Sequence, residues 1–266
     1  MKIVQITDTH LVPPGETLYG LDPAGRLERV VADILAHHGD ADLVAITGDL
    51  CNDGEPAAYA LLREILSPLR MPLRLMLGNH DERPAFRDAF PDQPVDADGF
   101  VQSHLDTGDG RLLFLDTHHP GTIGGRYCEA RRRWLEGALA EAGPSPVTVF
   151  LHHPPVDCGL AHFRNIGLHD GEAVLAALRA HPGGVRHILF GHIHVSLSGT
   201  SAEGFAYSSG QSSAHRFAAD LGDPAPFWID DHPAYRVVML DGSGLRAYVR
   251  EVGQRRLERA PDCAGP

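Results

Sequence analysis

Five short motifs built from histidine and aspartate recur along the chain: Asp8-Thr9-His10, Gly48-Asp49, Gly78-Asn79-His80-Asp81, His152-His153-Pro154-Pro155 and Gly191-His192-Ile193-His194. Each follows a short apolar run (2–7, 42–47, 73–77, 147–151 and 185–190) with the length of a buried strand. The motifs therefore belong at the carboxyl ends of strands, where open α/β sheets build their sites. Between them, the apolar spacing of Leu27, Val30, Val31, Ile34 and Leu35 predicts a helix over 23–38, and similar patterns predict helices over 55–66, 83–90, 129–142 and 171–180. Segments 100–105 and 111–116 read as a hairpin closed by Thr107-Gly108-Asp109-Gly110, and 205–208, 236–240 and 245–249 read as late strands.

As ligands the motifs offer the two carboxylates of Asp8 and Asp49, one amide oxygen and several imidazoles, with no thiolate close by, a donor set that suits hard or borderline divalent cations. Strand alternation is expected to aim Asp8 and His10 at one ion, and His192 and His194 to repeat that geometry. Asp49, in a glycine-flanked loop, has two oxygens with which to bridge a pair of ions. Asn79 gives only a neutral oxygen, so its ion should be the weaker bound.

In this order and spacing the motifs resemble those of the calcineurin-like metallophosphoesterases, over residues 3–194. The resemblance implies a four-layer αββα sandwich and two divalent metal ions, drawn from Mn, Fe, Co or Zn. One ion would be held by Asp8, His10, Asp49 and His194, and the other by Asp49, Asn79, His152 and His192, with His152 rather than His153 as ligand. It makes His80 a catalytic group that reaches the phosphate or the leaving group, and places Asn79, His80, Tyr19 and His215 against substrate. Asn52 stands where purple acid phosphatases have a tyrosine ligand, and the stretch from Gly48 to Gly54 lacks the arginine of protein serine/threonine phosphatases. What remains is similar to the small bacterial phosphodiesterases of cyclic nucleotides and glycerophosphodiesters. A Cys51–Cys263 disulfide and a homo-oligomer are further implications.

Charge bookkeeping agrees with a diester substrate. Two dications are offset by Asp8, Asp49, a hydroxide and one diester anion, so the loaded site is near neutral. The expected reaction is hydrolysis of a small phosphodiester by a metal-bound hydroxide, with glycerophosphodiesters placed ahead of 3′,5′-cyclic nucleotides. A broad phosphomonoesterase, a nuclease or a metal-stabilised protein-binding scaffold are the alternatives.

At 266 residues and 43% hydrophobic, the chain can bury a substantial core, expected as a catalytic core over 1–213 with a cap loop and the last strands of the same domain over 214–266. A net charge of −12 argues against nucleic-acid or acidic-membrane partners. The run Arg131-Arg132-Arg133 reads as a solvated helix face, and the stretch 214–233 as a long loop or cap near the site. With no basic and apolar leader pattern and no apolar stretch approaching membrane length, the expected location is cytoplasmic.

Overall fold

The computed structural model describes residues 1–219, 221, 222, 228, 229 and 231–253. One sheet has the order β13-β12-β1-β2-β3, built from β1 (Lys2–Ile6), β2 (Leu43–Thr47), β3 (Leu73–Met76), β12 (Ala234–Asp241) and β13 (Gly244–Glu251). Its three early strands run parallel, with Ile3 opposite Leu43 and Val44 opposite Leu73, while β12 lies antiparallel beside β1. The second sheet has the order β4-β5-β6-β7-β9-β8, from β4 (Ser103–Thr107), β5 (Gly110–Phe114), β6 (Val147–Phe150), β7 (Val185–Phe190), β8 (Leu197–Thr200) and β9 (Ala206–Ser209).

The sheets pack face to face through Ile3, Leu43, Ala45, Met76 and Val238 of the first and Leu112, Phe114, Phe150 and Leu189 of the second. Outer faces are covered by helices, as parallel strands buried on both sides require. Helices α1 (Pro23–His38), α2 (Pro56–Leu66) and α3 (Arg83–Ala89) cover the first sheet, and α4 (Glu129–Ala142) and α5 (Gly171–Arg179) the second. This is the expected four-layer sandwich. Local chemistry sets the helix starts: Asp22 accepts a hydrogen bond from the Gly25 amide at 3.0 Å, and Pro23 occupies the first turn.

Two expectations are corrected, and one strand was unforeseen. The hairpin turns at the expected Thr107-Gly108-Asp109-Gly110, where Thr107 pairs with Gly110 and its hydroxyl accepts the Asp109 amide at 3.1 Å, but its first strand is Ser103–Thr107 rather than 100–105. Strand β8, Leu-Ser-Gly-Thr, carried no apolar alternation to reveal it and is held by its pairing to β9. The arginine run is not a uniformly solvated face: Arg131 is buried, donating to the Asp116 carbonyl at 2.7 Å and the His118 carbonyl at 3.0 Å beneath the Phe100 ring. In the stretch read as a loop or cap, Arg216–Phe217 (β10) pairs antiparallel with Trp228–Ile229 (β11). Among the described residues no helix is long and apolar enough to cross a membrane. The Cys51–Cys263 pairing lies outside the described residues, because Cys263 does.

Candidate metal centre

The motif loops continue the strand pairing beyond the strands themselves. Asp8 N–H donates to the Gly48 carbonyl at 3.1 Å, His10 N–H to Asp49 at 2.9 Å, and Ser213 N–H to Thr7 at 3.1 Å, so three loops are stitched into one floor. Glycine is needed where they touch: a Cβ on Gly78 would collide with Asp49 Oδ1 and His152 Nε2.

Side-chain aim does not come from strand alternation, as the sequence suggested. β1 ends at Ile6 and β7 at Phe190, and Asp8, His10, Asp49, His192 and His194 all lie in the left-handed region, with φ of 53°, 41°, 49°, 70° and 53°. Non-glycine residues enter that region at a cost of about 1–3 kcal/mol each and stay only where the surroundings over-determine them. Here the stitched loops supply that constraint, and the left-handed turns point the side chains inward.

The result is two adjoining clusters sharing one oxygen. Ligand atoms of Asp8, His10, Asp49 and His194 lie within 4.8 Å of one another. Nε2 of His194 is 3.4 Å from Asp8 Oδ1, and Nε2 of His10 is 3.5 Å from Asp49 Oδ2 and 3.1 Å from Nε2 of His194. On the other side of the same Asp49 oxygen stands Nε2 of His152, at 3.3 Å, which is also 3.3 Å from Asn79 Oδ1. The His192 ring centroid is 5.1 Å from that of His152, and its Nε2 is buried without a hydrogen-bond partner.

Ring tautomers explain why cations fit. Nδ1 of His152 is 2.8 Å from the Thr47 carbonyl and Nδ1 of His194 is 2.9 Å from the His215 carbonyl, so each Nδ1 must donate. Nδ1 of His10 faces Asn52 Oδ1 at 3.3 Å. Each ring then presents the Nε2 lone pair inward, and two such lone pairs meet at 3.1 Å between His10 and His194. Lone pairs and carboxylates converging in this way repel unless a cation lies between them. Bonds of about 2.1 Å place neighbouring ligands roughly 3.0–3.4 Å apart, close to the separations found.

For two of the rings electrostatics agree, and for His152 the proton is one that a cation would displace. Burial, with the charge of the other imidazoles, pushes His192 down to about 3 and His10 well below its ordinary value, keeping both neutral as ligands must be. Burial would also lower His152, but the Asp49 carboxylate outweighs it and pushes the ring up to about 9, while Asp49 itself is held well below the carboxylate range by His152.

His153 is buried close enough to His152 and His192 to form a three-imidazole group. Its nitrogens are both engaged, however, with Nε2 3.1 Å from the Ile123 carbonyl and Nδ1 2.8 Å from Thr117 Oγ. His80 is half-buried, with Nδ1 2.6 Å from the Asn52 carbonyl, and it lines the cavity. His215 is buried, its ring centroid 4.8 Å from that of His10 and 4.4 Å from that of His194. Tyr19 is 61% exposed, edge-on to His215 at 5.3 Å, on the rim of the same cavity.

Sequence reasoning missed several supports. Asn52 orients both His10 and His80. Asp81 accepts the amides of Gly78 at 2.8 Å, Leu50 at 3.1 Å and Cys51 at 3.2 Å, together with the Tyr59 hydroxyl at 2.9 Å, tying two motif loops together. Nothing in the pattern singled out Ile123, His162, Phe163, Ile166 and Phe217, which wall the cavity of about 250 Å³ over the cluster.

Comparison with known proteins decides the lineage. The sequence model of the family described as Calcineurin-like phosphoesterase matches residues 1–196. The chain belongs to the calcineurin-like phosphoesterases. Relatives in the family include a probable cyclic nucleotide phosphodiesterase of Rhodopseudomonas palustris, 42% identical over 83% of this chain and 81% of its own. A 3′,5′-cyclic adenosine monophosphate phosphodiesterase of Pseudomonas aeruginosa is 34% identical over 72% of this chain and 69% of its own. A glycerophosphodiester phosphodiesterase of Enterobacter lignolyticus is also 34% identical, over 73% and 71%. Among solved structures, a dimetal phosphatase from Danio rerio superposes with a TM-score of 0.71 at 15% identity, covering 95% of this chain and 99% of that one. At that identity the likeness is one of fold.

Proposed function

We propose that this calcineurin-like phosphoesterase is a dinuclear metal-dependent phosphodiesterase of small diesters. The observation that carries the reading is the single Asp49 oxygen standing 3.5 Å from His10 Nε2 and 3.3 Å from His152 Nε2, at the junction of two ligand clusters. Asp8, His10, Asp49 and His194 would hold one divalent ion, and Asp49, Asn79, His152 and His192 the other. When bound, such a pair neutralises the non-bridging phosphate oxygens and lowers the pKa of water to roughly 7, supplying a nucleophile at neutral pH.

The protein's own groups do the rest. Asp49 Oδ1 is occupied by the His80 amide at 3.0 Å, which holds the carboxylate with Oδ2 facing both His10 and His152. The Nδ1 proton of His80 is committed to the Asn52 carbonyl, so any proton this ring passes to a leaving alkoxide moves at Nε2. Tyr19 and His215 line the rim where the organic half of the substrate lies.

Between the two substrate classes, the cavity wall favours the 3′,5′-cyclic nucleotides, reversing the order suggested by the motifs. Phe163 and Phe217 stand 5.7 Å apart at 60°, with His162 5.9 Å from Phe217, and among the described residues no aspartate, glutamate, lysine or arginine other than Asp49 lines the cavity. Such a wall suits a planar uncharged base, for which aromatic stacking is worth roughly 1–3 kcal/mol. Comparing kcat/KM for cyclic AMP and glycerophosphocholine tests this. Cyclic AMP should lead by about tenfold, and Phe217→Ala should remove most of that lead; equal or reversed selectivity sinks the cyclic-nucleotide reading while leaving the diesterase reading intact.

A further inference from the structure

A second feature of the inter-sheet space has no part in the chemistry above. At one edge of the sandwich the two inner sheet faces turn polar, and Arg236 of β12 is 97% buried there. Its guanidinium donates to Gln5 Oε1 from Nε at 3.1 Å and Nη2 at 2.5 Å, and to Ser208 Oγ from Nη1 at 2.8 Å and the Ser208 carbonyl from Nη2 at 3.4 Å. All of these acceptors are neutral. Among the described residues no carboxylate pairs with it, and burial without such a partner draws its pKa down to about 9. A buried charge without a counter-charge is among the costlier arrangements a core contains.

The same guanidinium lines a cavity of about 260 Å³ that opens between β13 and the β8–β9 hairpin. Its polar wall is His187, Ser196, Ser198 and Ser208, and it contains no acidic side chain. Ser208 Oγ accepts from Arg236 and lies 2.9 Å from His187 Nε2, linking the guanidinium and the imidazole of the wall. The cavity thus offers one fixed cation with donors around it, over an apolar floor of Leu197, Leu245 and Ala247.

We propose that this cavity is a binding site for a small anion, a halide or the carboxylate of a short organic acid, held by Arg236 with His187 beside it. The anion supplies the counter-charge that the fold does not. Gln5 connects the guanidinium onward, its Nε2 donating to Thr47 Oγ at 3.1 Å, and the Thr47 carbonyl is the acceptor for His152 Nδ1. The proposed site and the second ligand cluster therefore share a strut, although anion binding stands independently of the phosphodiesterase reading.

Crystals of the metal-loaded full chain grown in bromide locate the anion directly. An anomalous peak within hydrogen-bond reach of Arg236 Nη1 or the His187 ring is expected, and its loss in Arg236→Met. In solution, bromide and acetate titrated against the unfolding midpoint should give saturable stabilisation, with the stronger of the two naming the anion class. His187→Leu, a change at the half-buried wall that spares the core, should weaken the apparent affinity about tenfold, and the metal centre common to both proteins cancels in that comparison. An ordered guanidinium with no bromide beside it and no acetate in crystals grown with that anion, or titration curves identical in the wild type and His187→Leu, would show Arg236 to be a self-satisfied core polar group and overturn the site.

Discussion

At Asp49 one side chain serves two clusters, and its removal should be unlike that of any other ligand. Asp49→Ala is expected to lower kcat/KM by about three orders of magnitude or more, with loss of both metals by elemental analysis, because the shared oxygen is what holds the halves together. Asn79→Ala removes a single neutral donor and should recover part of its activity in excess manganese. His80 separates rate from metal content. His80→Ala should keep two metals yet lose roughly a hundredfold in kcat, the scale of a group that acts on charge developing in the transition state. The loss should be larger for a poor alkoxide leaving group than for p-nitrophenolate, which needs no proton; loss of a metal equivalent would instead make His80 a ligand.

The loops that carry these residues are tied to one another by polar clamps. Asn52 gives its side-chain oxygen to His10 and its carbonyl to His80, so Asn52→Ala frees the orientation of His10 while leaving every proposed ligand in place. A ten- to hundredfold weakening of metal binding, read by titration of the metal-free protein, is the expected outcome; unchanged affinity would show the bond to be incidental. Much at this scale could be read from the sequence. Helix α4 has the bounds its amphipathic pattern announced, and the strand-end placement of the motifs followed from the apolar runs before them. What could not be read depends on contacts distant in sequence. Asp81 is recognisable as a motif residue, but its grip on Leu50 and Cys51 exists only once β2 and β3 are neighbours. Arg131 resembles its exposed neighbour Arg133 in composition, and only the carbonyls of Asp116 and His118 show why it is buried. The left-handed conformations at Asp8, His10, Asp49, His192 and His194 were equally hidden: aspartate and histidine enter that region more readily than most side chains, but the preference is too weak to single out these five positions.

Across the whole molecule, titration and metal binding are linked. Without metal, buried His10, His153, His192 and His215 and half-buried His187 all have lowered pKa values, so the unfolded chain takes up protons as pH falls below about 6.5 while the fold resists, and stability declines. His152 has the opposite sign: raised to about 9, it contributes stability below about 6.5 that is lost as pH rises through 9. The unfolding midpoint of chelated protein should therefore peak near pH 6.5 and fall more steeply on the acid side; a monotonic profile would contradict these environments. Metal binding displaces the His152 proton, so the metal-induced rise in midpoint should grow from pH 6.5 to 9. At a hundred times the dissociation constant that rise corresponds to about 2.7 kcal/mol, or roughly 5–10 °C for a chain of this size. The most direct test of the dinuclear diesterase is a stoichiometric titration. Chelator-stripped protein is given manganese in fractions of an equivalent, with hydrolysis of bis(p-nitrophenyl) phosphate and p-nitrophenyl phosphate followed at each step. Diester hydrolysis that appears with metal, levels off at two equivalents per chain and exceeds monoester hydrolysis is the predicted result. Full activity without metal, saturation at one equivalent, or a preference for the monoester would contradict it.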